Sequence, residues 1–438
     1  MNDIQIGLIG FGNIGAGVVK LLRENADVIR GKVGVGIVLK RIADLDITTD
    51  RGVPVDAGVL TTSVDDIFND PDISVVIELV GGYEPAKSFV LKAIEKGKHI
   101  VTANKALLAL HGTEIYAAAD RKGVEVQFEA AVGGGIPVLT AIKGNLAANN
   151  VTSVFGIMNG TCNYILTRMT QEGADFTAML QVAQQLGYAE PDPTFDVEGV
   201  DTAHKLAVLI SLCFGTRIDF KDIYTEGISR ISALDVKFAA QFGYRIKLLA
   251  IGKCVDGVIE ARVHPTMIPL DSPLADINGV FNAIRLSGDF VGPVMFSGRG
   301  AGQNPTASAI VGDLIGLSRS MKAGAGRRMA PLGFLDDQIT TLPVKPMSEM
   351  VSKYLLRFSA LDKPGVLAAI TGSLGTHGIS IESMVQTARE SADAAAVPIV
   401  IMTHEAREGA VLAALAETDR CDFICEATRF IRIEDNLE

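Results

Sequence analysis

Cysteine is scarce: five in 438 residues, with no paired spacing apart from the C-x3-C of Cys421 and Cys425. That excludes a disulfide framework, offers no zinc signature, and makes a reducing cytoplasm the expected compartment. Basic charge is short as well. At a net charge of −11, a nucleic acid or an anionic membrane would have to be held by a local basic patch. None is evident, so neither is expected as a partner. No apolar run reaches about 18 residues, and the first nine residues lack the basic segment of a secretory leader, so membrane spanning and export are not expected. Tandem repeats and low-complexity tracts are missing too. What is present is the balance of a globular chain, 48% hydrophobic and 21% charged, which is too apolar for disorder. At roughly 100–200 residues per domain, the length predicts two to four domains.

From Ile4 to Phe128 short apolar runs alternate with helical periodicity, the pattern of parallel strands joined by crossover helices. Strands are expected at Ile4–Ile9, Val35–Ala43, Val75–Leu79, His99–Thr102 and Val124–Phe128, which makes residues 1–132 a doubly wound, Rossmann-type α/β sheet. Over 133–302 the pattern becomes α+β, with strands at Val151–Met158 and Val258–Pro265 and helices at Gly160–Gln171, Phe176–Leu186 and Thr202–Phe214. An apolar helix, Pro305–Ser318, could return residues 303–320 to the first domain, and 321–353 reads as a linker. Residues 354–438 are expected to form a separate ferredoxin-like βαββαβ unit. Its strands are Tyr354–Leu361, Ser380–Thr387, Ala394–His404 and Phe423–Ile433, with helices Gly365–His377 and Ala406–Glu417.

Gly10-Phe11-Gly12-Asn13-Ile14-Gly15 follows the first strand and opens a helix, the context a G-x-G-x-x-G needs to be more than a glycine-rich turn. The first glycine permits the tight turn, the second lets a pyrophosphate approach the backbone, and the third packs helix on strand. Free amides at the helix start bind the anion. The end of the second strand selects the dinucleotide: an acid there hydrogen-bonds a ribose hydroxyl, whereas a base accommodates a 2′-phosphate. Lys40 and Arg41 point to NADP, while Asp44 keeps NAD open and a solvated strand end is the alternative.

Lys105 ends the run His99–Lys105, at the carboxyl edge of a parallel strand, where open α/β sheets bind ligands. Asp201 and Lys205 lie four apart on an apolar helix and share one face. Glu190 sits in Gly187-Tyr188-Ala189-Glu190-Pro191-Asp192-Pro193, a loop that prolines hold extended. By spacing alone, Asp201 and Lys205 read equally as an ordinary helix-surface pair, Glu190 as a solvated loop residue and Lys105 as a strand end.

The run Ala183-x3-Gly187-Tyr188-Ala189-x2-Asp192-Pro193-x2-Asp196-Val197-x-Gly199-x-Asp201-x3-Lys205 resembles the signature of the homoserine dehydrogenases. So do Gly160-Thr161-Cys162-Asn163-Tyr164-Ile165-Leu166, Asn104-Lys105, and Glu129-Ala130-Ala131-Val132-Gly133-Gly134-Gly135-Ile136-Pro137, together spanning residues 1 to about 320. The resemblance implies reduction of L-aspartate 4-semialdehyde to L-homoserine with NAD(P)H, a step toward threonine, methionine and isoleucine. It makes 133–302 a catalytic and dimerising domain, and a homodimer or homotetramer is expected. Lys205 becomes the general acid and Lys105 a second cation at the substrate oxygen or a proton shuttle. Two ammonium groups in one pocket repel, and Asp201 offsets this and orients the amine. Glu190, with Gly187 in the same loop, would bind the substrate's ammonium group. A monovalent cation, sodium in the family, would sit at the Glu129–Ile136 turn on Glu129, Val132, Gly134 and Ile136, although an ordinary β-turn fits that segment as well.

Cys162 raises a competitor, a semialdehyde dehydrogenase with a thiolate nucleophile, but a buried apolar cysteine accounts for it better. His204, adjacent to Lys205, points to another side of the helix. The turn Gly298–Gln303, through Gly302, could close over the cofactor, or it could simply connect domains. Leu361-Asp362-Lys363-Pro364-Gly365-Val366-Leu367 and His377-Gly378-Ile379 resemble the ACT domain, an amino-acid-binding regulatory module. There Asp362, Pro364, Gly365, Val366, Leu367, Gly378 and Ile379 would form the effector site, with threonine the expected effector and a ligand-free dimerisation domain the alternative. Deleting the residues after about Lys353 is expected to leave catalysis intact but to remove inhibition by threonine. The rivals to this reading are another NADP-dependent reductase of an oxo or amino acid, and a non-catalytic amino-acid sensor.

Overall fold

The computed structural model describes residues 3–324, 329–386 and 396–437. Six parallel strands form the first sheet: β1 (Ile4–Ile9), β2 (Ile37–Ala43), β3 (Leu60–Thr61), β4 (Ile73–Glu78), β5 (His99–Thr102) and β6 (Val126–Gln127), in the order β3-β2-β1-β4-β5-β6. Their central residues, Ile6, Leu8, Val75, Ile77 and Val101, are fully buried. Helices covering both faces of a parallel sheet produce this unbroken apolar pattern. The crossovers are α1 (Asn13–Glu24), α2 (Ala26–Val33), α3 (Asp65–Phe68), α4 (Ala86–Glu95) and α5 (Lys105–Lys122). The strand order reverses between β1 and β4, so ligands are expected at the carboxyl ends of those two strands. β6 is shorter than expected because Glu129–Ala131 turns into a 3-10 helix.

The second module comprises α6 (Val138–Lys143), β7 (Val151–Ile157), α7 (Gly160–Glu172), α8 (Phe176–Gln185), α9 (Thr194–Val197), α10 (Val200–Phe214), β8 (Tyr224–Thr225), α11 (Ala233–Gln241), β9 (Tyr244–Val255), β10 (Val258–Pro269), β11 (Phe281–Gly288) and β12 (Gly292–Arg299). β9 and β10 make a hairpin over Asp256-Gly257, whose φ values of 51° and 76° suit a primed two-residue turn. This module holds more strand than expected, because β9 and β11 carry little alternation: β9 is buried from Ile246 to Gly252, with Lys247 its one charged residue there. α10 crosses the sheet, packing on β7, β9 and β10 and against α5. α12 (Gln303–Lys322) packs along α1. Beyond it, Thr340 bridges Thr216 and Val344 bridges Ile259, so the connecting segment is laid against the second module.

The C-terminal module runs β13 (Val351–Leu361), α13 (Val366–Thr376), β14 (Ile381–Gln386), β15 (Ala396–Thr403), β16 (Ala406–Arg407), α14 (Glu408–Thr418) and β17 (Ile424–Ile433), in strand order β17-β13-β15-β14, the ferredoxin-like arrangement. The expected strand ends at Thr387 and Ala394 lie outside the described residues. This ferredoxin-like unit shares its sheet with the module before it. β17 pairs in parallel with β10 at Thr266–Arg432 and Met267–Ile433, merging both modules into an 11-stranded sheet. Edge-to-edge pairing follows from where two strands end in space, which hydropathy does not record. Among the described residues, no helix is long and apolar enough to cross a membrane.

Candidate active site

At the switch point the three fingerprint glycines divide the labour expected of them. Gly10 has φ +96°, and a Cβ there would lie 2.7 Å from the Leu79 backbone. A Cβ on Gly15 would lie 2.4 Å from the Gly10 carbonyl, so helix and strand pack too closely for any side chain. At Gly12, which precedes α1, a Cβ would meet nothing within 4 Å, leaving open space over the helix N-terminus for a phosphate. The Phe11 amide donates to Asp44 Oδ2 at 2.5 Å, fastening the loop to the end of β2. Asn13 and Ile14 begin α1, and Gln303 Nε2 donates to the Asn13 carbonyl at 3.0 Å, which brings the Gly298–Gln303 turn, with Gly302 at φ +118°, to the fingerprint.

Lys40 is corrected. It lies inside β2, and its ammonium pairs with Asp70 at 2.8 Å and Asp72 at 2.7 Å, just before β4 begins, at the opposite edge of the sheet from the fingerprint. Arg41 donates to the carbonyls of Lys40 and Gly58.

β5 leads into α5 through a tightly bonded turn. Buried Glu78, ending β4, accepts from Thr102 Oγ1 at 2.7 Å and Val80 N at 2.8 Å. Asn104 caps α5 by accepting from Leu107 N and donates Nδ2 to the Gly82 carbonyl at 2.8 Å. Lys105 is therefore the first residue of α5, aimed across the module boundary. Gly199, at φ +82°, starts α10 and sets Asp201 and Lys205 within its first two turns.

The three groups converge. Asp201 Oδ1 lies 3.2 Å from the Lys105 ammonium and Oδ2 lies 2.7 Å from that of Lys205. Burial opposes ionisation of Asp201, but the Lys205 and Lys105 charges together hold its carboxyl well below the usual carboxylate range. Lys205 also donates to the Met158 carbonyl at 2.6 Å. This is no helix-surface pair, since Asp201 is 4% and Lys205 8% exposed.

Sequence reasoning assigned no role to the polar frame around this trio. Asn159 Nδ2 donates to Asp196 Oδ1 at 2.8 Å and Asp201 Oδ2 at 3.0 Å, while its Oδ1 caps α7 through Cys162 N. Thr161 Oγ1 donates to the Tyr188 carbonyl at 2.7 Å and to Asp196, tying the Gly187–Pro193 loop to the frame. The available signal was an N-cap asparagine one residue before Gly160-Thr161. Glu190 is exposed, and its carboxylate has no protein partner among the described residues; Gly187, also exposed, turns the loop at φ +73°. Asn163 serves the sheet instead, bonded to Lys247 and to the Ile277 and Phe281 carbonyls.

Cys162 is buried, donates to the Asp196 carbonyl, and burial with the nearby Asp196 and Asp201 charges pushes its thiol well above the ordinary value. His204 packs away from the crevice, its ring centroid 4.2 Å from that of Phe220, and burial lowers it to about 4. In the Glu129–Ile136 turn, the Glu129 carboxylate accepts from Leu139 N, Thr140 N and Thr140 Oγ1, capping α6. The Ile136 carbonyl accepts from Val138 N. Among the described residues, no three His, Cys, Asp or Glu side chains gather as a metal site.

Residues 137–315 match the family described as homoserine dehydrogenase, 10–129 its NAD-binding domain, and 354–420 the ACT domain. The homoserine dehydrogenase of Pseudomonas aeruginosa is 44% identical over 99% of both chains, and that of Bacillus subtilis 37% over 100% of this chain and 99% of its own. A solved homoserine dehydrogenase from Thiobacillus denitrificans superposes with a TM-score of 0.93 at 44% identity over 99% of both chains. One from S. aureus does so at 0.77 and 31%, over the full length of both. A dinucleotide fingerprint and a buried lysine–aspartate–lysine group, on a chain matched end to end, give one conclusion: this chain belongs to the homoserine dehydrogenase family, NAD(P)-dependent oxidoreductases acting on a CH–OH group.

Proposed function

We propose that Lys205 is the general acid that protonates the oxygen of L-aspartate 4-semialdehyde as it becomes L-homoserine, with Lys105 the second cation at that oxygen. The observation that carries this is the bonding of Lys205. An ammonium has three donors; two go to Asp201 and Met158, and the third has no protein acceptor among the described residues. A substrate oxygen at that position would receive a proton and the field of two cations, while Asp201 keeps both amines in register. A dinucleotide bound there would be held by Gly10–Gly15, with Gly302 on the far side, and would supply the hydride. Glu190, exposed and without a protein partner for its carboxylate among the described residues, takes the substrate ammonium, and Gly187 lets its loop turn. Initial rates with homoserine and each dinucleotide test the reading; no rate with either overturns it.

For the cofactor we propose NADP, with Arg41 as the cation available to a 2′-phosphate now that Lys40 is engaged elsewhere; a preference for NAD would assign the ribose to Asp44 instead. The monovalent cation fits in part. Glu129 is committed to α6, which leaves the carbonyls of Val132 and Gly134 as the ligands to hand, and no catalytic step is routed through the ion. The ACT likeness supports threonine as an effector bound around Asp362–Leu367, where Gly365 at φ +90° frees the start of α13, and around Gly378 and Ile379. Threonine synthesis is the end of the pathway this reaction would feed. Edge strand β14 offers the backbone for pairing with a second copy.

A further inference from the structure

One arginine of the C-terminal module reaches into the catalytic half. Arg432, on β17, is 3% exposed. Its Nε donates to Glu408 in its own module, and its Nη1 donates across the boundary to Glu226 Oε2 at 2.7 Å. Tyr224 OH receives Nη2 at 3.1 Å and donates to Glu226 at 3.0 Å, closing the group.

Glu226 follows β8, and its segment is the seat of the turn that joins the two site carboxylates. Glu226 N donates to the Val263 carbonyl and Ile228 N to the Val197 carbonyl, both at 2.8 Å. Contact there is backbone on backbone: a Cβ at Gly227 would lie 2.3 Å from the Val197 oxygen and 2.4 Å from Glu198 Cα. One at Gly199 would lie 3.2 Å from Thr225 Cγ2. Val197–Gly199 connects Asp196 on α9 with Asp201 on α10, and Asn159 bridges those two carboxylates. Every link from Arg432 to Asp201 is thus a hydrogen bond, a backbone contact or the chain itself.

We propose that Glu226, held by Arg432, is a positioning residue for the reaction, which seats the Val197–Gly199 turn and thereby the Asp196 side of the substrate crevice. This rests on the reading that the crevice takes the substrate. The two sides of the crevice are not equally dependent on the seat. α10 is 15 residues long and packs on α5, β7, β9 and β10, so the Asp201–Lys205 pair survives a loosened turn. α9 has only four residues, so binding suffers before chemistry does.

The test is full-length Glu226→Gln, in which Arg432 keeps Glu408, compared with Arg357→Gln. The latter breaks a different pair between the same modules, Arg357 with Asp235 at 2.6 Å on α11. Expected for Glu226→Gln is a homoserine KM raised about 10-fold with kcat within about twofold and the dinucleotide KM unchanged. Faster amide exchange in residues 194–203 is expected without any substrate present. Arg357→Gln should show neither effect, and Glu226→Asp should restore part of the KM. A KM and exchange rate in Glu226→Gln equal to wild type, or equal shifts in both variants, overturns the proposal. The exchange readout stands even if homoserine proves not to be the substrate, so the two readings fail separately.

Discussion

Lys105 and Asp201 meet across the boundary between the nucleotide-binding and catalytic modules, 3.2 Å apart, while the other oxygen of the same carboxylate holds Lys205 at 2.7 Å. Both modules therefore contribute to the lysine–aspartate–lysine group proposed for proton transfer. Replacing Lys205 by alanine leaves Asp201 with Lys105 and removes the donor. The expected result is a kcat lower by on the order of 10²-fold or more, with NADPH binding measured by its fluorescence unchanged. A variant that turns over at the wild-type rate rejects Lys205 as the acid.

Glu190 should behave differently, because in the proposed reading it binds the substrate ammonium and not the reacting oxygen. Glu190→Gln is expected to raise the homoserine KM by about 10-fold or more while kcat changes little, the pattern of lost uniform binding. Equal falls in kcat and kcat/KM would instead place Glu190 in the chemical step.

How much of this was legible depends on how local each signal is. The fingerprint needed only a strand, six residues and a helix, and Gly10, Gly12 and Gly15 do what that spacing requires. Asp201 and Lys205 share a helix face by arithmetic, yet their burial is a tertiary fact: the face turned out to meet α5 from another module. Lys40 misled because charge near a strand end does not say which edge of the sheet its side chain seeks, and Asp70 and Asp72 decide that. Asn159 and Thr161 at the start of α7 and Asp196 on α9 form a frame from two separate segments, which no single spacing announces. The β10–β17 pairing joins strands far apart in sequence and leaves no periodic trace at all.

Cys162 tests the semialdehyde dehydrogenase alternative. A thiol buried and pushed well above its ordinary value is neither ionised nor reachable near neutral pH. Iodoacetamide at pH 7.5 should leave activity untouched, and Cys162→Ser, whose hydroxyl can keep the bond to the Asp196 carbonyl, should retain more than about a third of kcat. Stoichiometric inactivation with alkylation at Cys162 would revive the nucleophile.

Asp313 gives stability a pH dependence. Burial pushes its carboxyl up to about 7, with Lys143 opposing and Glu129 adding to the rise, while its Oδ2 accepts the Glu129 amide. A folded value above the unfolded one of about 3.9 means the folded state binds more protons between those limits. Its contribution is most favourable below pH 4 and is lost as pH rises toward 7, at most about 4 kcal/mol. Asp313→Asn keeps an acceptor for Glu129 and removes the titration. Urea unfolding of that variant should be flatter than wild type from pH 5 to 8 and more stable at pH 8; parallel curves would refute the assignment.

The C-terminal module shares a sheet with the one before it, so truncation after Lys353 is expected to cost stability. Cutting there removes Arg432, which pairs with Glu226, and Glu434, which pairs with Arg262 at 2.8 Å and Lys253 at 2.8 Å. It also bares the edge of β10 at Thr266–Met267, both fully buried. Breaking a buried pair costs about 3–5 kcal/mol, and in a chain of this size each kcal/mol is worth roughly 2–4 °C of Tm. The truncated protein should therefore melt roughly 10 °C lower and associate through its bare strand, so that inhibition by threonine cannot be judged from it. Asp362→Ala in the full chain is the cleaner variant for that purpose, because it alters the expected effector turn and leaves β17 in place. Threonine inhibition that survives in Asp362→Ala would put the effector elsewhere, and a truncated enzyme melting within about 2 °C of wild type would show that the merged sheet contributes little to stability.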